Sequence, residues 1–122
     1  MKILVCEDDV MTQKAIEHKL KSEAYEVEKA SDGEEALKIL EEKDIDLLIT
    51  DLHMPKLDGL ELINYLRNEK NKNIPIIMLT RVGVEETVLK AFELGADDYV
   101  TKPFSPNELI LRVKKVLLKV KK

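Results

Sequence analysis

Five short apolar stretches alternate with longer amphipathic stretches along the chain, and this alternation constrains the fold more than any other feature of the sequence. The predicted strands cover residues 2–7, 25–30, 45–52, 74–80 and 98–102. The predicted helices cover residues 10–24, 31–43, 60–67, 84–94 and 106–120. Elements that alternate in this way predict a parallel sheet with helices on both faces. With short right-handed crossovers, we expect a doubly wound, flavodoxin-like α/β fold of five strands in the order 2-1-3-4-5 and five helices.

Polar residues and glycines mark the expected ends of these elements. Asp9 precedes the first helix, and Ser31 and Ser105 each stand three residues before a glutamate, the pattern of a capping box. Gly95 is the expected end of the fourth helix. Two polar segments are predicted to be irregular: a loop over residues 54–59 and a linker over residues 68–73. The apolar stripe of the last helix consists of Leu109, Val113, Val116, Leu117 and Val120.

Length and composition exclude several classes of protein. A chain of 122 residues suits one domain, and a net charge of −4 does not favour direct nucleic-acid binding. No apolar run approaches the roughly 20 residues that span a membrane, so we expect no membrane association. The single cysteine, Cys6, excludes an internal disulfide and a cysteine metal cluster, and its place in an apolar strand predicts a buried thiol. Because acidic residues follow Cys6 where a signal peptide would stay apolar, we expect a cytoplasmic protein.

Four of the predicted strands end on polar side chains that can bind a metal ion or an anion. Glu7 and Asp8 end the first strand, Asp51 the third, Thr80 the fourth and Lys102 the fifth. The carboxyl ends of parallel strands open onto one edge of a sheet, and the crevice of this fold lies between strands 1 and 3. We therefore expect these side chains to converge on one site.

The converging groups suit magnesium-dependent phosphoryl chemistry. Magnesium prefers carboxylate oxygen, water and phosphate ligands, so Asp8 and Asp51 are candidate direct ligands and Glu7 a ligand through water. With the metal bound, Asp51 can act as a carboxylate nucleophile that accepts a phosphoryl group. Lys102 can neutralise charge on that group, and Thr80 can donate its hydroxyl to it.

At these residues the chain resembles the receiver domain of bacterial two-component response regulators. The matching motifs are ILVCEDD, DLLITDLHMPKLDGLEL, PIIMLT and GADDYVTKPF. The resemblance implies that Asp51 is the phosphoacceptor, that Glu7 and Asp8 are the acidic pair, and that the backbone carbonyl of His53 is a further magnesium ligand. It implies that Thr80 is the switch hydroxyl, Tyr99 the switch aromatic and Lys102 the phosphate-binding lysine. It also implies a cis peptide between Lys102 and Pro103.

The resemblance carries expectations about activity and partners. A histidine kinase would transfer a phosphoryl group to Asp51 with Mg²⁺ or Mn²⁺, and the domain would change conformation and partner binding. The domain would not be an enzyme but a phosphoacceptor that assists its own phosphorylation and dephosphorylation. Residues 1–122 would form the receiver domain, which in family members often joins an effector domain. A phosphorylation-promoted homodimer would use a charged face made by Asp97, Asp98, Glu108, Arg112 and Lys115.

Two residues depart from the family pattern, and two other functions stay open. The residue after the switch threonine is normally small, but here it is Arg81, which either extends into solvent or acts on the phosphoryl group. His53, two residues after Asp51, is also uncommon and could act on the attacking water. One alternative function is an unphosphorylated interaction scaffold. The other, an aspartate-nucleophile phosphohydrolase, is disfavoured because the second aspartate of its D-x-D-x-T motif is replaced by His53.

Overall fold

Strands and helices alternate along the chain. A computed structural model describes residues 1–54, 56–70, 73–81 and 85–120. The strands are β1 (Lys2–Cys6), β2 (Glu26–Ala30), β3 (Leu47–Asp51), β4 (Ile76–Arg81) and β5 (Asp98–Lys102). The helices are α1 (Val10–Ser22), α2 (Gly33–Glu42), α3 (Gly59–Asn64), α4 (Glu85–Leu94) and α5 (Pro106–Val120). A π-helical turn, Tyr65–Glu69, continues α3.

All strand pairs are parallel, in the order β2-β1-β3-β4-β5. This confirms the predicted doubly wound α/β fold. The register aligns Cys6 with Thr50 between β1 and β3, and Arg81 with Lys102 between β4 and β5. All five residues of β3 are buried, as expected for the central strand of a sheet that is covered on both faces. The carboxyl ends of β1 and β3 therefore lie side by side.

Two apolar clusters hold the helices against the sheet, one on each face. On one face, side chains of β1, β3 and β4 such as Leu48 and Met78 pack against α2, α3 and α4. On the other face, alternate residues such as Ile49 pack against Ile16 of α1 and Leu109 of α5. The predicted stripe of α5 is confirmed at four positions, and the side chain of its fifth residue, Val120, lies outside the described part. Cys6 is fully buried, as predicted.

Helix capping agrees with the sequence at three ends and differs at one. Asp9 caps α1 by accepting a hydrogen bond from the Thr12 N–H, and the Ser105 hydroxyl accepts one from the Glu108 N–H at 3.1 Å. Gly95 ends α4 with a φ of 121°, a conformation that favours glycine. The prediction of Ser31 as a cap was wrong, because the α2 cap is Asp32, which accepts from the Glu35 N–H at 2.8 Å. A carboxylate is the stronger acceptor at the positive end of a helix.

The predicted polar linker was wrong in its first part. Residues 68 and 69 continue the helix through the π-helical turn, which Lys70 closes by donating its N–H to the Tyr65 carbonyl at 3.0 Å. These residues are polar because they lie on the exposed side of a helical segment, not because the chain is irregular there. Pro55, Asn71, Lys72 and Val84, which fell in the predicted loop, linker and fourth helix, lie outside the described residues. None of the described helices has the length and apolar character that crossing a membrane requires.

Candidate functional site

Three carboxylates meet at the edge where β1 and β3 end. Ligand oxygens of Glu7, Asp8 and Asp51 all lie within 4.8 Å of one another. Glu7 is 1% exposed and Asp51 8% exposed, whereas Asp8 is exposed to solvent. Carboxylates this close repel one another, so the cluster requires positive charge nearby. The predicted convergence of Asp8 and Asp51 is thus present in the structure.

Lys102 reaches across from β5 and supplies that charge. Its Nζ atom lies 2.6 Å from Glu7 Oε1 and 2.7 Å from Asp51 Oδ2. The side chain of Lys102 is 23% exposed, while that of Glu7 is 0% and that of Asp51 11% exposed. The ammonium group therefore bridges two largely buried carboxylates in a partly dehydrated environment.

Burial and this bridge shift two pKa values. Burial raises the pKa of Glu7, although hydrogen bonds from Lys102 and from the Asp9 N–H oppose the rise. Burial alone would lower the pKa of Lys102, but its hydrogen bonds to Asp51 and Glu7 outweigh that effect and raise it. Lys102 is therefore held in its charged form at neutral pH.

Backbone groups fix the orientation of the two buried carboxylates. The Asp9 N–H donates to Glu7 Oε2 at 3.0 Å, and the His53 N–H donates to Asp51 Oδ1 at 3.1 Å. Gln13 fixes the backbone at Glu7, because its side-chain amide donates to the Glu7 carbonyl at 3.0 Å. Gln13 was not among the residues predicted for the site. The signal was its spacing in α1, because it lies three residues before Ile16 on the face that is buried.

Two glycines let neighbouring helices approach the site closely. A Cβ atom on Gly59 would lie 2.5 Å from the Asp51 carbonyl oxygen, and the Gly59 N–H donates to the Leu52 carbonyl at 3.0 Å. A Cβ atom on Gly33, at the start of α2, would lie 1.9 Å from the Leu57 carbonyl oxygen. The loop after Asp51 is therefore packed between α2 and α3 without space for a side chain at either glycine.

Thr80 and Tyr99 lie on β4 and β5, the two strands that follow β3 in the sheet. Thr80 is 2% exposed at the end of β4, one residue beyond Leu79, the register partner of Asp51. Among the described residues, no hydrogen bond joins Thr80 to Asp51. Tyr99 is 40% exposed, and its ring packs edge-on against Phe92 of α4 with 5.9 Å between ring centroids. The Lys102–Pro103 peptide, next to the site, is cis.

The family model for the response regulator receiver domain matches residues 3–114. The chain belongs to this family.

Curated relatives and solved structures agree. The alkaline phosphatase synthesis transcriptional regulatory protein PhoP of Bacillus subtilis is 47% identical over 116 residues, which are 95% of this chain and 48% of PhoP. The probable transcriptional regulator ycf27 of Cyanophora paradoxa shows the same identity and coverage. The receiver domain of the Francisella response regulator 1452 is 38% identical with a TM-score of 0.89, covering 99% of this chain and 98% of that one. The chain spans about half the length of the curated relatives it matches.

The carboxylates of this receiver domain fit a hard divalent cation. Glu7, Asp8 and Asp51 offer only oxygen donors, two of them buried and one exposed toward solvent. Such a donor set suits Mg²⁺ or Mn²⁺, which keep several waters, and does not suit a metal that requires nitrogen or sulfur ligands.

Arg81 and His53, the two departures from the family pattern, are both exposed at this edge of the receiver domain. Arg81 is the register partner of Lys102, so the two residues lie side by side on neighbouring strands. His53 holds Asp51 through its backbone N–H. The structure thus places both residues beside the carboxylate cluster.

Four of the five residues predicted for a dimer face form ion pairs within the chain. Asp98, which is 6% exposed, lies 3.1 Å from Arg112 Nη1 and 3.8 Å from Lys115 Nζ. Asp97 Oδ2 instead lies 3.2 Å from Arg67 Nη2 and accepts the Ile76 N–H at 2.8 Å. The two adjacent aspartates therefore contact different helices. The fifth predicted residue, Glu108, is exposed in the first turn of α5, where its N–H donates to the Ser105 hydroxyl.

Proposed function

We propose that this receiver domain accepts a phosphoryl group on Asp51 from a histidine kinase, in the presence of Mg²⁺ or Mn²⁺. The observation that carries the proposal is the arrangement of Asp51 itself. Its carboxylate lies at an open sheet edge, with one oxygen held by the His53 N–H and the other by Lys102. Such positioning and nearby positive charge supply most of what phosphoryl transfer requires from a protein.

The metal would be held by side chains of Asp8 and Asp51, by the backbone carbonyl of His53, and by Glu7 through a water molecule. When bound, the cation would neutralise charge on the carboxylates and on the incoming phosphoryl oxygens. The compact oxygen cluster supports this ligand set.

The transfer would form a bond between an Asp51 carboxylate oxygen and phosphorus. The phosphorus–nitrogen bond of the phosphohistidine donor would break, and its electron pair would stay on the imidazole nitrogen. The Lys102 ammonium, which already contacts Asp51, would donate a hydrogen bond to the phosphoryl oxygens and stabilise the negative charge that develops on them. The domain would act as a phosphoacceptor that assists its own phosphorylation and dephosphorylation and not as an enzyme with a separate substrate.

Phosphorylation would be transmitted by Thr80 and Tyr99. The Thr80 hydroxyl would turn toward the phosphoryl group, and the space that it leaves would favour inward rotation of Tyr99. Support for mobility of the tyrosine comes from its partial exposure and from its contact with the equally half-exposed Phe92. A shift between two conformations requires only that the phosphoryl group bind one of them better.

Labelling with a small phosphodonor in magnesium tests the assignment of Asp51. Asp51→Asn should abolish labelling, because an amide is not a nucleophile of this kind, and removal of divalent cations should abolish it in the parent. Asp44→Asn is the matched control, since Asp44 is exposed and lies outside the site. Labelling of Asp51→Asn at the parental level would disprove the assignment.

Titration with beryllofluoride and magnesium separates this function from an unphosphorylated scaffold. Beryllofluoride imitates a phosphoryl group, so saturable NMR shifts at Thr80 and Tyr99 are expected. A spectrum that does not change would favour the scaffold.

Arg81 and His53 are proposed to tune the lifetime of the phosphoryl group. Arg81 stands beside Lys102 in the register, and His53 is exposed at the site. In a comparison with the parent, Arg81→Ala and His53→Ala should change the rates of labelling or hydrolysis. Unchanged rates would make the altered side chain a bystander.

We further propose that phosphorylation promotes a homodimer through α4, β5 and α5. Half-exposed apolar side chains at Leu89, Phe92 and Tyr99 support this face. The internal pairing of Asp97 and Asp98 implies that their partners would have to be shared or exchanged on association. Sedimentation of a monomer at high concentration, with and without beryllofluoride, would refute the dimer.

An output in transcription is proposed from the names of the relatives.

A further inference from the structure

A cavity of about 480 Å³ lies beside the carboxylate cluster, between α1 and the segment that joins β5 to α5. This volume is in the range of small-molecule sites. Most of its wall is apolar and consists of side chains of Ala15, Ile16, Pro103, Phe104, Pro106 and Leu109. Ile16 and Leu109 are buried and form the floor, whereas Ala15, Pro103 and Pro106 are exposed at the rim.

The charged residues of this wall all carry positive charge. They are Lys19, Arg81 and Lys102, and no carboxylate is among the described residues that line the cavity. Lys102 is already bound by Glu7 and Asp51. Lys19 lies 3.9 Å from Glu23, a long and partly exposed pair. A net positive rim around an apolar floor is therefore complementary to a molecule with an apolar body and a negative end.

Arg81 is the cation best placed to bind that negative end. Its side chain is exposed and lines the cavity next to Lys102, its register partner. Within the described residues, the side chain of Arg81 makes neither an ion pair nor a hydrogen bond. Its guanidinium therefore keeps its full capacity for a charge-assisted, bidentate contact with a carboxylate, sulfonate or phosphonate group.

We propose that this cavity binds a small organic anion with an apolar body, and that Arg81 and Lys19 recognise its anionic group. Such an anion would place its ring or chain against Ile16, Phe104 and Leu109, where apolar surface is removed from water. Binding of this anion requires neither a metal ion nor phosphoryl transfer, although Lys102 both lines the cavity and contacts Asp51. Its test can therefore omit both magnesium and phosphodonor, and its outcome does not depend on the proposed function.

The test is a titration of the full chain with three probes, followed by NMR at the methyl groups of Ile16 and Leu109. Naphthalene-1-sulfonate has both an apolar body and a charge, 2-naphthol lacks the charge, and ethanesulfonate lacks the apolar body. Naphthalene-1-sulfonate should bind most tightly and shift these methyl groups. The proposal is wrong if naphthalene-1-sulfonate binds no better than ethanesulfonate, or if the largest NMR shifts that it causes fall outside this cavity.

Two variants make the test specific. Arg81→Met should weaken binding of naphthalene-1-sulfonate about tenfold, the effect of losing one charge-assisted hydrogen bond, and should leave 2-naphthol binding unchanged. Lys90→Met is the matched control, because it removes the same charge from an exposed position on α4 and should have no effect. Ala15→Phe should fill the rim and abolish binding. Equal affinities of the parent, Arg81→Met and Ala15→Phe would overturn the proposal.

Discussion

Replacement of Lys102 by methionine should reveal how strongly the carboxylate cluster depends on this one cation. Methionine keeps most of the side-chain volume but removes the charge. In metal-free buffer, the substitution would leave Glu7 and Asp51 close together without an ion-pair partner among the described residues. Their side chains are 0% and 11% exposed, so water can compensate only in part.

The expected loss of stability follows from the burial of the partners. Exposed ion pairs contribute about 0–1 kcal/mol, whereas removing one partner of a buried pair costs about 3–5 kcal/mol. Lys102 itself is 23% exposed, but both acceptors are more buried and lie within 2.7 Å. We therefore expect a loss of about 3 kcal/mol at pH 7, near the lower end of the buried range.

The loss should depend on pH. The pKa of Glu7 is already raised by burial and would rise further without the Lys102 hydrogen bond. A raised carboxyl pKa means that the folded state prefers the protonated form. The native state therefore loses stability as the pH rises from the pKa of Glu7 in the unfolded state to its higher pKa in the folded state. The penalty of Lys102→Met should therefore be largest at neutral pH and smaller near pH 5.

Urea unfolding with a chelator present measures the effect. A loss of about 3 kcal/mol lowers the midpoint by roughly 2 M for a domain of this size. Lys43→Met is the matched control, because the Lys43–Glu28 pair is similarly short at 2.9 Å but its lysine is 44% exposed. The control should lose less than about 1 kcal/mol. Equal losses for the two variants would show that burial of the carboxylates does not decide the energy.

Magnesium should partly reverse the loss. In the proposed function, the metal would neutralise the same carboxylates as the lysine, so Lys102→Met should gain more stability from magnesium than the parent does. A hundredfold excess over the dissociation constant would contribute about 2.7 kcal/mol. No added stabilisation by magnesium in the variant would argue against the metal assignment.

Three further predictions follow from individual contacts. Gly59→Ala should cost about 1–3 kcal/mol in urea unfolding and slow phosphoryl labelling, because its Cβ would lie 2.5 Å from the Asp51 carbonyl oxygen; parental values for both would show that the loop yields freely. Burial raises the pKa of Cys6 to about 12, so a thiol reagent at pH 8 should react on the order of a thousandfold more slowly with folded than with unfolded protein; a reaction that is fast without denaturant would contradict this. Arg67→Ala should cost about 2 kcal/mol, because its guanidinium donates to the Gly95 carbonyl at 2.9 Å and 3.1 Å; an unchanged urea midpoint would show that these bonds contribute nothing.

Local patterns predicted the scaffold of the site well. Apolar runs of strand length located β1, β3, β4 and β5 and hence the residues at their carboxyl ends. The sequence could also have identified Gln13, since helical spacing places it on the buried face of α1. The error at Ser31 has a local cause, because two adjacent residues can both cap a helix and only the backbone geometry selects Asp32. These inferences depend on neighbouring residues, where the periods of strands and helices hold.

Charge pairing could not be predicted in the same way. Asp97 and Asp98 are adjacent and were assigned to one face, yet Asp97 pairs with Arg67 and Asp98 with Arg112. Asp97 precedes β5 and Asp98 begins it, and the two side chains contact different helical segments. The partners are 30 and 14 residues away in sequence, and packing of whole helices decides which of them comes within reach.

By itself, the sequence determined the class of fold and the residues near the end of each strand, because these depend on patterns repeated every two to four residues. The strand order followed from the rule that crossovers are short and right-handed. Only the tertiary structure decided that Lys102 bridges Glu7 and Asp51, which are 95 and 51 residues away from it. It also decided that Arg81 lines an apolar cavity beside the site. Such contacts join strands and helices that are far apart in sequence, so a local pattern cannot show which side-chain atoms come within hydrogen-bond distance.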